Sequence, residues 1–218
     1  TPTDEMPVAR NTSSRFDLGR NFANKLWNAT RFALRRIDPA TTVDGPVAIA
    51  DRPFPDRWIV ARLTQTVARL DAALAAYQFN AFADTLYDFV WHDVCDRYLE
   101  MVKPTIDHDP AQQIVLGTVL DAVLRVMHPV MPFVTEALWP NVSAARRGDV
   151  AGLELPSSEL LAGAAWPVVD DGLAGADLVA HFERADDLIG RIRAVRGSQN
   201  VAPKKLIEVH APAAVRDL

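Results

Sequence analysis

The sequence predicts a mainly α fold, an antiparallel helical bundle with a small helix-plus-strand appendage at its C-terminal end. Apolar residues recur at intervals of three and four over long stretches, which is the spacing of one face of an α-helix. Proline-containing connections separate these stretches, and most of them are short enough to join antiparallel neighbours. Alternation of apolar and polar residues, the pattern of a half-buried strand, is weak and lies mainly near the C-terminal end.

Prolines and helix-capping residues set the predicted helix boundaries. A residue that precedes proline is disfavoured in the α conformation, which places helix ends before Pro39, Pro104 and Pro129. Asp56 is a suitable N-cap for the second helix, and Pro132 suits the first turn of the fifth. The predicted helices are Arg15–Ile37, Asp56–Tyr77, Asn80–Val102, Pro110–Met127, a short helix from Pro132, and Ala176–Arg196.

These helices divide the chain into four predicted regions. Residues 1–14 are a linker rich in Pro, Thr and Ser, and residues 15–145 form the bundle. Residues 146–172 are an irregular loop, with a short strand near Leu153–Leu155. Residues 173–218 hold the sixth helix and a weakly alternating segment, Lys205–His210, which is predicted to be a strand. The third helix is apolar on several sides, so we expect it at the centre of the bundle.

The composition of the 218 residues is that of a globular protein, with 49% hydrophobic and 23% charged residues. The single cysteine, Cys95, excludes an intramolecular disulfide and a four-thiolate zinc site, and it fits a reducing cytoplasm. The sequence contains no run of about 20 apolar residues, so no membrane-spanning helix is predicted. Residues 1–14 lack the apolar core of a secretory signal.

Basic residues are concentrated in two segments, although the formal net charge of the chain is −5. The segment from Arg15 to Arg36 carries a net charge of +5, and so does the segment from Arg191 to Lys205. The rest of the chain is therefore strongly acidic. Two basic segments on an acidic body indicate a localised contact with a polyanion, although two solvated helix faces would give the same pattern.

The first helix carries the most specific pattern. Successive residues of a helix rotate by about 100°, so Phe22, Leu26, Ala29, Ala33 and Ile37 share one stripe, which faces the core. The opposite stripe places an aromatic ring among amides and cations. Its members are Asn21, Lys25, Asn28, Phe32 and Arg35, with Asn24 and Arg31 beside it and Arg20 at its start.

This face is suited to the recognition of unpaired bases. An aromatic ring stacks on a base with a free energy of about 1–3 kcal/mol, and asparagine offers a donor and an acceptor to a base edge. Lysine and arginine neutralise phosphates, and RNA loops expose the bases that duplexes hide. An alternative remains open at this point: Phe32 packs under a neighbouring helix and the asparagines only solvate the surface.

Four motifs resemble the anticodon-binding domain of valyl-tRNA synthetases and occur in the order found in that family. They are GRNFANKLWNATRF (Gly19–Phe32), DRWIVARL (Asp56–Leu63), YDFVWHDVCDRYLEMVKP (Tyr87–Pro104) and HPVMPFVTEALWP (His128–Pro140). RIRAVRGSQNVAPKKLIEV (Arg191–Val209) resembles a later segment of the family more loosely. Arg97 stands where the family usually has Trp, and the resemblance does not cover residues 1–14 or 141–172.

The resemblance implies binding to the anticodon stem-loop of valine tRNA. Lys25, Asn28 and Phe32 are the principal implied contacts, and the basic and amide residues of the same helix surround them: Arg20, Asn21, Asn24, Arg31 and Arg35. A second group, Arg191, Arg193 and Arg196, is a candidate contact to the tRNA backbone. A different class of function also fits, namely a helical protein–protein interaction module with no RNA role, whose arginine-rich face docks an acidic partner.

The resemblance further implies that the chain is the C-terminal part of a larger, monomeric, cytoplasmic valine–tRNA ligase that uses ATP and Mg²⁺. The catalytic and editing domains of that polypeptide would be its partners. The His-Ile-Gly-His-like and Lys-Met-Ser-Lys-Ser-like catalytic motifs do not occur in this sequence. We therefore expect no catalytic residue, no metal site and no cofactor site within this chain.

Four other groups of residues have structural interpretations that we favour. Acidic and imidazole side chains recur every four residues in the third helix (Asp84, Asp88, His92, Asp96), and a solvated, ion-pairing stripe is favoured over metal ligands because no facing glutamates accompany them. Cys95 is predicted to be a small core residue rather than a nucleophile. His128 is predicted to cap a helix end. The five tryptophans are predicted to be core anchors: Trp27, Trp58, Trp91, Trp139 and Trp166.

Overall fold

The computed structural model describes residues 14–202 and 205–208. Within these ranges the chain is mainly helical, as predicted. The helices are α1 (Ser14–Leu34), α2 (Phe54–Ala75), α3 (the contiguous segments Phe79–Tyr87, Asp88–Tyr98 and Leu99–Val102), α4 (Pro110–Met127), α5 (Pro132–Ala145) and α6 (Ala176–Ser198). A small antiparallel sheet pairs β1 (Leu153–Glu154) with β2 (Val168–Val169). None of the helices in the described ranges is both long and apolar enough to cross a membrane.

Helix α4 lies at the centre of the bundle, and every residue from Gln112 to Met127 is buried. Its predicted ends are confirmed, because Pro110 occupies the first turn and Asp109 caps the helix by accepting the backbone N–H of Gln112. The expectation that the third helix is central is wrong. Although α3 has many apolar residues, it keeps a charged, solvent-exposed side and packs as one wall of the bundle.

Three other helix boundaries differ from the prediction. Helix α1 ends at Leu34 because the chain turns there, with the N–H of Arg36 bonding to the carbonyl of Ala33. Helix α2 begins at Phe54, so Asp56 lies buried in its first turn and is not an N-cap. Helix α5 is not short but continues for 14 residues through Pro140.

Helix α3 contains an 11-residue π-helical segment, Asp88–Tyr98. π-Helical hydrogen bonds join residues five apart, and such segments occur frequently at functional sites. The segment holds the exposed residues Asp88, His92 and Asp96 as well as Asp93, which is buried. One helix therefore presents a solvated acidic stripe on one side and a buried carboxylate on the other.

The buried carboxylate of Asp56 joins three helices. It accepts hydrogen bonds from Arg52, which precedes α2, from Tyr98 of α3 and from Gln112 of α4. Burial raises the pKa of Asp56, and the hydrogen bonds from Gln112 and Arg52 oppose that rise. The ends of α2, α3 and α4 are thus fixed relative to one another through a single side chain.

A second buried carboxylate, Asp93, ties the appendage to the bundle. Arg62 of α2 and Arg97 of α3 both donate to it, and Arg97 also donates to Asp186 of α6 at 2.6 Å. Burial alone would lower the pKa of Arg97, but the hydrogen bonds to Asp93 and Asp186 outweigh it, so the pKa is raised. Arg97 thus bridges two acids, one in the bundle and one in the appendage.

The first half of α6 packs on the bundle through Phe182, whose ring lies 4.3 Å from that of Trp58. The second half, from Gly190, is largely exposed. The predicted strand Lys205–His210 is not formed in the part that the structure describes, since residues 205–208 carry no regular secondary structure. Val209 and His210 lie outside the described residues. The strand expected near Leu153–Leu155 is confirmed as β1.

A third buried carboxylate, Asp121 of α4, organises the loop after α5. It accepts from Arg125, one turn later, and from Arg146. Arg125 also donates to the carbonyls of Ala165 and Pro156, and in this way residues far along the loop are held against the central helix. Arg125 and Asp121 are both almost fully buried, so loss of either side chain would leave the other buried without a partner of opposite charge.

We predict that Asp121→Asn lowers the free energy of unfolding by about 3 kcal/mol, because it keeps the side-chain shape but leaves Arg125 buried without a counter-charge. Urea denaturation followed by far-ultraviolet circular dichroism measures this loss. The control is Asp17→Asn, which removes an exposed ion pair with Arg20 and should cost less than about 0.5 kcal/mol. Equal losses in the two variants would contradict the role given to Asp121.

Candidate nucleic-acid interface

Helices α1 and α3 run side by side in the same direction, and aromatic contacts set their register. The ring of Phe22 lies 5.5 Å from that of Tyr87 and 6.0 Å from that of Trp91. One turn further along α1, the Nζ of Lys25 lies 3.7 Å from the centroid of the Trp91 ring. The C-terminal halves of the two helices line a groove.

This groove has a volume of about 350 Å³. Helix α1 contributes Lys25, Asn28 and Phe32, which are the three principal contacts predicted from the sequence. Helix α3 contributes the opposite wall: Cys95, Leu99, Glu100 and Lys103. The fold thus brings together an aromatic ring, an amide and cations around one concave surface, with Glu100 supplying a carboxylate.

Phe32 is half-buried, with one part of its ring packed against the core and another part open to the groove. Two cations flank the ring: the guanidinium carbon of Arg36 lies 5.2 Å from its centroid, and the Nζ of Lys103 lies 5.4 Å away. Packing holds the ring in place, and its exposed part remains available for stacking. The packing of Phe32 under neighbouring residues is therefore observed in part, and its role in base recognition stays a prediction.

Lys25 does not project freely into solvent. Its ammonium group lies over Trp91 and donates to Asp96 at 2.6 Å. These contacts hold the positive charge at the edge of the groove, because a cation–π contact and an ion pair restrict the four-carbon stem. A phosphate that approaches Lys25 must share it with Asp96, whereas a base edge can contact both side chains.

The outer side of α1 is an exposed polar surface. Its residues are Arg20, Asn21, Asn24, Asn28, Arg31 and Arg35. Arg20 forms an exposed ion pair with Asp17 at 2.8 Å. These side chains continue the groove outward, so the surface offered to a ligand extends along most of the helix.

Trp27 belongs to this outer surface, and the prediction that it is a core anchor is wrong. It is 40% exposed and lies on the helix between Asn24 and Arg31. Trp58 and Trp139 are buried as predicted, and Trp91 and Trp166 are partly buried against the core. Trp27 is the functional candidate that the sequence reasoning missed. Its three- and four-residue spacing to Asn24 and Arg31 was the signal that could have identified it.

The second predicted basic group lies on α6, which packs on α2. Arg191 and Arg193 are exposed on the half of α6 that extends away from the bundle. Arg191 lies 4.0 Å from Asp187, and Arg196 donates to the carbonyl of Ala202. These arginines lie on a different helix from those that form the α1–α3 groove, and they do not line it.

The acidic stripe of α3 is exposed, as predicted, and one of its members pairs with α1. Asp96 binds Lys25 and lies 3.4 Å from the Nδ1 of His92. In the portion of the chain that the structure describes, no three or more His, Cys, Asp or Glu side chains are arranged to hold a metal ion. His128 is the C-cap residue of α4, as predicted, and its Nδ1 lies 2.9 Å from the hydroxyl of Thr135.

Burial raises the pKa of the Cys95 thiol to about 11, despite an opposing effect of Lys25. The thiol is therefore protonated at neutral pH and is a poor nucleophile. Cys95 packs partly against the core while also lining the groove. Its environment fits the structural interpretation predicted from the sequence.

We predict that iodoacetamide alkylates Cys95 at pH 7.5 about 100-fold more slowly than a thiol of ordinary pKa, and that the rate rises about tenfold per pH unit up to pH 10. Mass spectrometry of quenched time points measures the rate. The same chain unfolded in urea is the control and should react as a free cysteine. A rate that levels off near pH 8.5 in the folded chain would contradict the raised pKa.

Comparison with known proteins finds one matching family and several similar proteins. A family described as "Anticodon-binding domain of tRNA ligase" matches residues 56–211, more than two thirds of the chain. The valine–tRNA ligase of Rhodopirellula baltica is 36% identical over 218 residues, covering 97% of this chain and 20% of the relative. The valine–tRNA ligase of Streptomyces coelicolor is 40% identical over 189 residues, covering 84% of this chain and 20% of the relative.

A third relative, the valine–tRNA ligase of Legionella pneumophila, is 34% identical over 208 residues, covering 90% of this chain and 22% of the relative. The chain therefore spans about a fifth of the length of these curated relatives. The helical bundle and the match over residues 56–211 lead to one conclusion. This chain belongs to the anticodon-binding domain family of tRNA ligases.

Proposed function

We propose that this chain binds the anticodon loop of valine tRNA in the groove between α1 and α3, as one part of a valine–tRNA ligase. The observation that carries the proposal is the groove itself, where Lys25, Asn28 and Phe32 of α1 converge. The family match and the names of the relatives support tRNA as the ligand.

In the proposed complex each side chain of the groove makes a different contact with the RNA. The open part of the Phe32 ring stacks on an unpaired base, and Asn28 hydrogen-bonds to a base edge. Lys25 and Lys103 supply positive charge at the two ends of this site. Since Phe32 and Lys25 are already held by packing and pairing, little side-chain entropy is lost on binding.

The acidic residues of the groove favour a base over a bare phosphate. Asp96 and Glu100 border the same concave surface as Lys25 and Lys103, and a phosphate placed deep between them would face two carboxylates. Carboxylates accept hydrogen bonds from exocyclic amino groups of bases. The mixture of charges therefore suits base edges, while the phosphates contact the outer surface.

The outer surface of α1 supplies that phosphate contact. Arginines and amides line it without a matching row of acids: Arg20, Asn21, Asn24, Arg31 and Arg35. Trp27 gives the same surface a second partly exposed ring. Arg191, Arg193 and Arg196 of α6 contact a more distant part of the tRNA backbone in this proposal.

The remaining activities of the ligase belong to parts of it outside this chain. In the proposed enzyme, those catalytic and editing parts use ATP and Mg²⁺ to join valine to the tRNA, in the cytoplasm and as a monomer. This chain holds the anticodon end of the tRNA so that the acceptor end reaches the catalytic part. Anticodon contacts thereby add discrimination between tRNAs.

We predict that Phe32→Ala weakens binding of a valine tRNA anticodon stem-loop about tenfold, which corresponds to the loss of roughly 1.4 kcal/mol of stacking. Lys25→Ala should weaken binding with little change in the salt dependence of log K, because Lys25 is paired with Asp96 and faces a base edge in this proposal. Fluorescence anisotropy at two or more salt concentrations measures both effects, and circular dichroism confirms that the variants are folded.

Matched controls come from exposed residues of the same chemistry elsewhere. Phe79→Ala removes an exposed ring at the start of α3, and Arg69→Ala removes an exposed cation from α2. Neither should change affinity more than twofold. If Phe32→Ala and Lys25→Ala bind like the parent chain, or if the controls lose as much affinity, the groove is not the anticodon site.

A further inference from the structure

The cations around the α1–α3 groove are each paired with an acid. In every pair the cation lies beside the groove or the Phe32 ring, and the acid belongs to α3 or to the turn after it; the pairs are Lys25–Asp96, Lys103–Glu100 and Arg36–Asp107. Together the three pairs carry no net charge. On the outer surface of α1, by contrast, Arg31 and Arg35 are exposed, and no carboxylate in the described part of the chain pairs with either.

The pair of Lys25 and Asp96 is the most closely held of the three. The Lys25 side chain is 24% exposed, less than either of the other two cations. Its ammonium group lies on the Trp91 ring and donates to Oδ1 of Asp96 at 2.6 Å. The other carboxylate oxygen, Oδ2, lies 3.4 Å from Nδ1 of His92, one turn earlier on α3. The ammonium group is therefore held from two sides.

This arrangement disfavours a phosphate as the ligand of Lys25. A charge-assisted hydrogen bond spans less than about 3 Å, so a phosphate oxygen on the Lys25 ammonium group would stand within about 6 Å of the Asp96 carboxylate. Two negative groups at that distance repel each other. A base edge is neutral, and it can accept a hydrogen bond from Lys25 while donating one to Asp96.

We propose that Asp96 is a positioning residue that sets the specificity of the groove: it holds Lys25 against Trp91 and keeps this cation from binding the phosphates of RNAs with other loop bases. The inference rests on the proposed function and deepens it. Phosphate contacts add affinity for every RNA, whereas base contacts distinguish one RNA from another. Asp96 thus lowers affinity for incorrect RNAs more than it lowers affinity for the correct one, which is one of the two ways to gain specificity.

The proposal predicts a gain of binding when a charge of the site is removed. Asp96→Asn frees Lys25 for phosphate, so this variant should bind a stem-loop with a changed anticodon about fivefold more tightly than the parent chain at low salt. The slope of log K against log salt should steepen by about 0.7, the contribution of one phosphate on a single strand. Affinity for the native anticodon stem-loop should stay within about twofold, because a base contact is lost as a phosphate contact is gained.

The experiment titrates the 218-residue chain and its variants with both stem-loops by fluorescence anisotropy at several salt concentrations. Asp88→Asn is the matched control, because Asp88 is an exposed acid two turns earlier on the same stripe of α3. It should change neither the anticodon preference nor the salt dependence. Asp96→Glu keeps the charge and should restore the parent preference. Circular dichroism confirms that each variant is folded.

A double variant separates the action through Lys25 from a general effect of charge. Lys25→Ala with Asp96→Asn should lose the gain of affinity for the changed stem-loop, because the freed cation is then absent. A gain that persists in the double variant, an equal gain in Asp88→Asn, or an unchanged preference in Asp96→Asn would overturn the proposal. If the parent chain does not distinguish the two stem-loops, the proposed function is contradicted instead, and the fivefold gain still tests whether Asp96 withholds Lys25 from phosphate.

Discussion

The arrangement of the bundle depends on buried carboxyl groups that are matched by arginines. A carboxylate removed from water must meet a cation and hydrogen-bond donors, which leaves little freedom in how the helices pack. Asp56 fixes the ends of α2, α3 and α4, and Asp93 links α2 and α3 to α6 through Arg97. Asp121 holds the loop after α5 against the central helix. Burial of apolar side chains stabilises the bundle, while these ion pairs and hydrogen bonds restrict how its helices pack against one another.

The position of α3 determines the functional surface. With α3 held by Asp56 and Asp93, its partly buried side packs against α1, and the two helices form a single seam with two chemically different ends. One end is a charged groove with a half-buried ring, and the other is an apolar cavity. In the proposed function, the charged groove is the end of the seam that contacts the tRNA. In this view the π-helical segment of α3 contributes by presenting Asp96 to Lys25.

Much of the fold was predictable because it is encoded locally. Prolines at both ends of α4 gave its boundaries, and the helical spacing of α1 separated a core stripe from a polar one. The errors involve contacts between distant residues. Asp56 resembled an N-cap because its partner residues Tyr98 and Gln112 lie 42 and 56 positions away. Trp27 was assigned to the core from its residue type, although the position that it occupies faces solvent.

The groove was predictable in its α1 half only. Lys25, Asn28 and Phe32 share a helix face, which a single segment reveals, whereas the opposite wall from Cys95 to Lys103 depends on which helix packs beside α1. The pairing of Lys25 with Asp96 likewise joins residues 71 positions apart. No periodicity within one helix carries that information.

The most direct test of the central claim is a titration of this chain with valine tRNA and with the same tRNA carrying a changed anticodon, at two salt concentrations. Anticodon recognition in the α1–α3 groove predicts tighter binding to the native anticodon, with a preference that persists as salt weakens both affinities. Equal affinity for the two tRNAs at both salt concentrations would contradict it, because phosphate contacts alone do not distinguish bases.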